Sequence, residues 1–284
     1  MMDFKRYMIT GAKRKETLRY MKETYANRAL YAVTNSTLDL EGSRYGYSFY
    51  YYFAPVIEEA SSLREYIEKV LENKKGKAIG CEFGGEGYFF KEFSSGFFAQ
   101  SLAVSLYPFR YNLLGKLSKT MAGYLRKPKV VKKLNEINHS VIRGNLLNEE
   151  VYLFVNRQLS GRKVDFILQR MVLGLDHIPL NPFIIFSIFQ TWYEMLNEEG
   201  LMLVEIPVCF EELCLLDSWT KLLEDLKQQG VIDYKIGSLT RFNKVLRLIK
   251  KRGAPERLPF LTTKQVAECF RKSDDILCNL LKGS

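Results

Sequence analysis

The sequence predicts an α/β fold in which a mostly parallel β-sheet is flanked by helices and ends on an antiparallel strand. Between residues 77 and 230, short apolar stretches alternate with longer stretches of helical periodicity, which is typical of a parallel sheet. Two further apolar stretches, 231–238 and 244–251, are joined by a short turn, which favours an antiparallel last strand. With 284 residues and 47% hydrophobic residues, the chain is long enough for one full core and an appendage.

Residues 1–75 are predicted to form a helical N-terminal extension. Residues 12–31 have the pattern of a basic helix, and an aromatic run, "YGYSFYYYF", follows at 45–53. This run packs as a lid on the sheet domain or stacks on bases or a planar substrate. From Val56 to Leu71 apolar residues recur at three- and four-residue spacing, and Gly76 is a helix stop signal.

Residues 76–252 are predicted to be the sheet domain, and residues 253–284 a C-terminal helical tail. The predicted strands lie at 77–83, 101–108, 139–147, 163–171, 201–207, 231–238 and 244–251. The predicted helices lie at 87–100, 148–161, 180–200 and 210–230, and in the tail at 262–281. Gly200 and Gly230 are the stop signals of the third and fourth of these helices. Residues 127–138 are predicted to be a basic linker or a helix.

The charge and cysteine content narrow the function classes. Lys and Arg number 42 against 32 Asp and Glu, a net charge of +10 that suits anionic partners or merely a soluble basic protein. Five cysteines without C-x-x-C spacing favour reduced thiols and a cytoplasmic location, and two histidines make a structural metal site improbable. We expect no signal peptide and no membrane span, because every apolar stretch is shorter than about 20 residues.

The stretch "KAIGCEFGGEG" indicates a ligand site. Its apolar strand ends in Glu82 and Phe83, and Gly84, Gly85 and Gly87 follow, which lets backbone approach a ligand. In open α/β sheets ligands lie at the carboxyl ends of the strands. The other candidate positions are therefore Tyr107-Pro108, Gly144-Asn145 and the segment from Gln169 to Asp176.

Several common sites are excluded by their motifs. No Lys-Ser or Lys-Thr follows the glycines as a Walker loop requires, and Phe90 stands where a dinucleotide fingerprint needs its third glycine. The G-x-S-x-G pattern of α/β-hydrolases is absent, and the sequence shows no nucleophile–His–Asp triad.

Over residues 77–251 the ordered motifs resemble those of class I S-adenosylmethionine-dependent methyltransferases, which have a Rossmann-like sheet. "AIGCEFGGEG" looks like the first motif of that family, and "VIRGNLL" is similar to its third-strand motif. "KVDFILQRM", in which Asp165 opens the strand, looks like the fourth strand, and "MLNEEGLMLVEIP" resembles the turn into the fifth. Glu86 stands where the family usually has a further glycine, and Asn145 replaces a common Asp.

The resemblance implies that S-adenosylmethionine is the cofactor and gives roles to individual residues. Glu82 would receive the amino end of the donor, and the three glycines would let the backbone approach it. The implied donor-binding set is Glu82, Phe83, Gly84, Gly85, Gly87, Tyr107, Gly144, Asn145, Leu146, Gln169 and Arg170. Asn145 and Leu146 would flank the adenine, and Gln169 and Arg170 would line the floor below the sulfonium and face the acceptor.

Asp176 and His177 follow the fourth predicted strand, where acceptor chemistry would occur. A neutral imidazole at His177 can take a proton from a hydroxyl or amine acceptor. The alternative is a loop histidine that caps a helix or packs against its neighbours. His139 begins a strand after a basic stretch and is expected to be structural.

The resulting expectation is methyl transfer to an unidentified small molecule or RNA. Two alternatives stay open: a non-catalytic scaffold that kept the fold, and an RNA-binding module that uses basic stretches such as "RKPKVVKK". These basic stretches are equally compatible with solvated charge on helix faces.

Overall fold

A computed structural model describes most of the chain from Phe53 onward. The described residues are 53–57, 60–93, 96–105, 127–144, 146, 148–169, 182–206, 210, 214–238, 244–269 and 271–272. The predictions for the basic helix at 12–31 and for most of the aromatic run lie outside these residues.

The described strands form one eight-stranded sheet in the order β3-β4-β2-β1-β5-β6-β8-β7. The strands are β1 (Ala78–Phe83), β2 (Phe98–Ser105), β3 (Lys129–Leu134), β4 (His139–Arg143), β5 (Val164–Gln169), β6 (Leu196–Ile206), β7 (Ile232–Ser238) and β8 (Lys244–Lys250). The helices are α1 (Leu63–Val70), α2 (Glu149–Gln158), α3 (Pro182–Met195), α4 (Leu215–Gln228) and α5 (263–269).

Strand β1 lies at the switch point of the sheet. It pairs in parallel with β2 on one side and with β5 on the other, and β4 and β6 extend these two halves in parallel. Strand β8 pairs antiparallel with both β6 and β7. The predicted α/β fold, with a mostly parallel sheet and an antiparallel last strand, is therefore confirmed.

Helices and loops cover both faces of the sheet. Helices α2, α3 and α4 bury their apolar sides against one face, which includes Cys81 and Phe83 of β1. Helix α1 and a group of phenylalanines cover the other face, which includes Phe166 and Leu203. The Ser62 hydroxyl starts α1 by accepting a hydrogen bond from the Glu65 amide at 3.1 Å. The domain boundary at residues 75 and 76 stays a prediction.

The segment between β1 and β2 is not the predicted helix of residues 87–100. It contains a 3₁₀ helix at Tyr88–Glu92, and β2 already begins at Phe98. The physical reason is the crowding of phenylalanines on one face of the sheet, where the Phe90 and Phe98 ring centroids lie 5.1 Å apart, edge to face. Gly80 of β1 makes room for this cluster, because a Cβ there would overlap the Phe90 ring.

Two other elements also differ from the sequence expectations. Residues 129–134 form the edge strand β3 rather than a linker or helix, pairing antiparallel with β4. Helix α3 ends at Met195, so Gly200 lies inside β6 and does not stop the helix. The Lys250 ammonium group supplies the stop instead, because it donates to the carbonyls of Tyr193 and Leu196 at 3.3 Å. Gly230 does follow α4 as predicted, with φ of +72°.

The buried carboxylate of Asp165 joins several elements at the amino edge of the sheet. It accepts hydrogen bonds from the Lys74 ammonium group at 2.8 Å, the Ile79 amide at 2.9 Å and the Asn197 side-chain amide at 2.8 Å. Because all three neighbours are donors, the site requires an acceptor with negative charge.

In the described part of the chain, no helix has the length and apolar character needed to cross a membrane.

Replacing Asp165 with Asn is expected to lower the free energy of unfolding by about 3 kcal/mol, because the amide group would turn a donor toward buried donors and remove the partner of Lys74. Urea denaturation measures this change. Asp217→Asn, at an exposed position in the first turn of α4, is the matched control with an expected cost below about 1 kcal/mol. Equal effects of the two substitutions would contradict the role assigned to Asp165.

Lys250 is 3% exposed, and its ammonium group lies 4.2 Å from the centroid of the Tyr193 ring. Burial, together with the positive charge of Lys163, lowers the pKa of Lys250 to about 8. In the unfolded chain a lysine keeps a pKa of about 10.4, so between pH 8 and 10 the unfolded state binds more protons than the folded state.

Stability is therefore expected to rise with pH in this window. The difference in unfolding free energy between wild type and Lys250→Met should increase in favour of wild type from pH 8 to 10, by up to about 1.4 kcal/mol per pH unit. Urea denaturation at several pH values measures it, with Lys221→Met on the exposed side of α4 as control. A difference that stays constant across the window would show that Lys250 does not titrate there.

Candidate functional site

The candidate site lies at the carboxyl edge of the sheet, where β1 and β5 run side by side. The chain leaves β1 toward β2 on one side of this point, and the later strands β5 and β6 lie on the other. Connections that diverge in this way leave a crevice above the strand ends, which is where open α/β sheets bind ligands. The first strand delivers the glycine loop, residues 84–87, to this crevice.

Glu82 is buried beneath the glycine loop. Its carboxylate accepts a hydrogen bond from the Gly87 amide at 2.5 Å, and it is 5% exposed. Gly84 leaves the strand with φ of +100° while its amide donates to the Val104 carbonyl at 2.8 Å. The loop thus folds back over the side chain of the last polar residue of β1.

The three glycines have different surroundings. Gly84 is exposed and Gly85 half-exposed, whereas Gly87 is buried. A Cβ at position 85 would overlap the Glu82 carboxylate, and a Cβ at position 87 would overlap the His139 ring. Gly84 and Gly85 therefore present backbone to the crevice, while Gly87 is required by packing inside the loop.

His139 ties the glycine loop to β2 and β4. Its Nε2 lies 2.9 Å from the Glu86 carbonyl oxygen, and its Nδ1 lies 2.8 Å from the Ser101 hydroxyl. Because a carbonyl can only accept, Nε2 carries the proton, and in the neutral ring Nδ1 accepts from Ser101. The sequence predicts a structural role for His139, and these two hydrogen bonds are structural contacts. The contact of His139 with the glycine loop is not visible in the sequence.

The imidazole of His139 is 1% exposed. Burial lowers the pKa of His139, and the positive charges of Lys132 and Lys91 act in the same direction, while the bond to the Glu86 carbonyl opposes them. The ring is therefore neutral at pH 7, and protonating it in place is unfavourable.

Three other predicted donor-binding residues, Phe83, Gly144 and Leu146, have internal contacts. The Phe83 ring is fully buried and stacks on Trp192, with centroids 5.1 Å apart, so only its backbone can face the crevice. A Cβ on Gly144 would overlap Val151 of α2. The Leu146 carbonyl accepts from the Tyr152 hydroxyl at 2.9 Å.

Gln169, at the end of β5, uses its side-chain oxygen to accept from the Glu205 amide of β6 at 3.0 Å. It is 2% exposed, so this bond fixes the two neighbouring strand ends to each other. Its predicted place below the donor stays a prediction.

The remaining predicted site residues lie outside the described part of the chain: Tyr107, Asn145, Arg170, Asp176 and His177. Their roles stay predictions. Within the described ranges, no group of three His, Cys, Asp or Glu side chains is placed to hold a metal ion.

Sequence reasoning missed two buried carboxylates at this edge. Glu86, in the glycine loop, is 6% exposed, and Glu205, near the end of β6, is 7% exposed. A carboxylate at the end of an apolar run, as in "LMLVEIP", was the available signal for Glu205. Glu86 had a weaker signal, since a charged residue between glycines is more often exposed.

The strand order around β1, with parallel neighbours on both sides and an antiparallel β8 inserted between β6 and β7, agrees with the Rossmann-like sheet that the sequence predicts. The predicted fold class, a mostly parallel sheet with an antiparallel last strand, is confirmed by this strand order. No protein-family model matches the sequence. A comparison with curated proteins likewise found no significant match.

Among solved structures, the chain is similar to an rRNA methylase from Streptococcus thermophilus, with 12% identity and a TM-score of 0.38 over 66% of this chain and 96% of that chain. It is also similar to the fibrillarin/Nop5p complex, with 15% identity and a TM-score of 0.34 over 62% and 74%. A third is the N-methyltransferase NodS from Bradyrhizobium japonicum, with 10% identity and a TM-score of 0.36 over 66% and 83%. The fold assignment itself depends on the strand order of this chain.

Acid is expected to weaken the protein through His139. Because its folded pKa is lowered, its contribution to stability is complete above the unfolded pKa of about 6.5 and is lost as pH falls through the folded value. The unfolding free energy of wild type relative to His139→Gln should therefore fall between pH 7 and pH 5. Gln retains a donor for the Glu86 carbonyl but does not titrate, and a pH-independent difference would contradict the neutral, buried ring.

Proposed function

We propose that this protein binds S-adenosylmethionine and transfers its methyl group to an acceptor, either RNA or a small molecule. One observation supports this above all: the exposed backbone of Gly84 and Gly85 lies at the switch point of the sheet, directly above the buried Glu82 carboxylate. Open backbone beside a negative charge suits a ligand that has an ammonium group at its amino-acid end.

The loop residues fit such a ligand by shape and by charge. The missing side chains at positions 84 and 85 let a ligand approach the backbone closely. One oxygen of Glu82 is held by the Gly87 amide, and the Glu82 carboxylate occupies the place where a Gly85 side chain would be. The carboxylate that is proposed to receive an ammonium group is thus held in a fixed position next to the loop.

The chemistry needs little from the protein beyond placement. When bound, the donor supplies a methyl group on a positively charged sulfur. Transfer requires an acceptor atom that has a free electron pair and lies in line with the methyl–sulfur bond. We assign Glu82 to the amino end of the donor, Gly84 and Gly85 to close contact, and Gln169 to the floor of the site. Asp176 and His177 are proposed to take the acceptor proton.

A second candidate function is a binding protein that has the fold without the chemistry. The observation that favours it is the internal use of the loop: Glu82 is bonded to the Gly87 amide, and the bulky Glu86 is buried where related loops have glycine. Donor binding distinguishes the two candidates.

Calorimetric titration with S-adenosylmethionine and S-adenosylhomocysteine tests the proposal. Wild type is expected to bind both saturably. Gly85→Ala should weaken binding at least about tenfold, because its Cβ would displace the Glu82 carboxylate, and a tenfold loss corresponds to about 1.4 kcal/mol. Gly85→Arg should abolish binding.

The control is Gly230→Ala. Gly230 has positive φ, which Gly85 does not, and a Cβ there meets no atom within 4 Å, so this variant adds backbone strain outside the loop without steric overlap. It should bind the donor like wild type. No binding of either compound by wild type at millimolar concentration would overturn the enzyme proposal and favour the binding protein. Full affinity in Gly85→Ala would show that the donor does not bind at the glycine loop.

A further inference from the structure

Residues 93–135 form the longest stretch of the chain that contains no Asp or Glu. Between residues 93 and 135 the sequence contains eight Lys or Arg residues and no Asp or Glu, a net charge of +8. The whole chain has a net charge of +10, so everything outside this stretch carries only +2. A second stretch without acidic residues, 234–255, contains seven Lys or Arg residues, but Arg247 there is paired with Asp233 and Lys250 is buried. The lysine-rich part of residues 93–135 is therefore the better candidate to contact an anionic partner.

In the described part of this stretch, the lysines lie on an edge strand. Lys127, Lys129, Lys132 and Lys133 are all exposed. Strand β3 is the first strand of the sheet order, with β4 as its described neighbour. None of the ion pairs formed between described residues includes Lys127, Lys129 or Lys133.

The edge strand leads to the candidate donor site. Lys129 is paired with Arg143, the last residue of β4, at the carboxyl edge of the sheet and next to Gly144. Lys132 is paired with Val141, two residues after His139 on β4, and its charge acts on the His139 ring that holds the glycine loop. The positive edge and the glycine loop are therefore close neighbours on the same half of the sheet.

We propose that the β3 edge, formed by Lys127, Lys129, Lys132 and Lys133, binds the phosphate backbone of RNA. RNA binding at this edge does not depend on donor chemistry. The further assignment of RNA, rather than a small molecule, as the methyl acceptor rests on the proposed function.

The dimensions suit a nucleic-acid strand. From Lys129 to Lys133 the strand rises about 13 Å at roughly 3.3 Å per residue. A strand of nucleic acid that carries one phosphate per roughly 3.4 Å presents about four phosphates over this length. Contacts to phosphates are independent of sequence and strongly dependent on salt, because each releases a bound counterion.

Edge lysines also have a purely protective role, since charge on an edge strand prevents pairing with other chains. Charge reversal separates the two roles. Glutamate protects an edge against pairing as lysine does but repels phosphate.

The test compares two variants of equal net charge. The edge variant carries Lys129→Glu, Lys132→Glu and Lys133→Glu, and the control carries Lys221→Glu, Lys251→Glu and Lys264→Glu at other exposed positions. Both change the formal net charge from +10 to +4. Binding of a labelled single-stranded RNA of about 20 nucleotides is measured by fluorescence anisotropy between about 50 and 200 mM salt.

The edge variant is expected to bind RNA at least about tenfold more weakly than the control at the lowest salt. The slope of log K against log salt should be less negative by about 2, from roughly 0.7 per lost phosphate contact. Equal weakening in both variants would overturn the proposal, because it would show a general effect of charge. Tighter binding of DNA of the same sequence would overturn the assignment to RNA.

The same preparations are titrated with S-adenosylhomocysteine. Unchanged donor affinity in the edge variant, together with its loss of RNA affinity, supports the separate RNA surface. If wild type binds no donor but the edge variant still loses RNA binding, the proposed methyl transfer fails while the RNA surface stands. If wild type binds the donor but the edge variant binds RNA as tightly as the control does, the RNA surface fails while the proposed methyl transfer stands.

Discussion

Strand β1 is buried along its entire length, and the rest of the architecture follows from the need to cover both of its faces. Its larger side chains, such as Phe83, face helices α2 and α3. Its other face has Ala78 and Gly80, and the small residues admit the phenylalanines of the following segment. The connection between β1 and β2 contains a short 3₁₀ helix in place of the predicted α-helix, and its phenylalanine rings pack on this face. Parallel sheets generally need cover on both sides.

Complete burial of β1 also explains the glycine loop. A strand without solvent contact must satisfy the polar group at its end, and Glu82 does so through the Gly87 amide. His139 satisfies the Glu86 carbonyl in the same loop. The loop is therefore held by two buried hydrogen bonds from below, which leaves the exposed backbone of Gly84 and Gly85 as the surface that a ligand meets. Order below and openness above are the features of a pre-formed binding site.

Positive and negative charges lie on different sides of this site. The positive edge of the sheet lies on the side of β3 and β4, and the buried carboxylates lie above the ends of β1 and β6. A cationic donor and an anionic acceptor would thus be attracted to neighbouring but distinct regions. The two surfaces would be joined by β4, because His139 and Arg143 begin and end that strand.

The amino-acid pattern predicts the alternation of strands and helices, the antiparallel last strand and the position of the glycine loop. These features depend on periodicity and on turn residues that are neighbours along the chain. Three other features become visible only in the tertiary structure. Gly87 packs against the His139 ring, Lys250 rather than Gly200 ends α3, and residues 129–134 pair with β4 as a strand. Each of these depends on residues far apart in the chain, and the lysine-rich pattern of β3 becomes a strand only because β4 offers it an open edge.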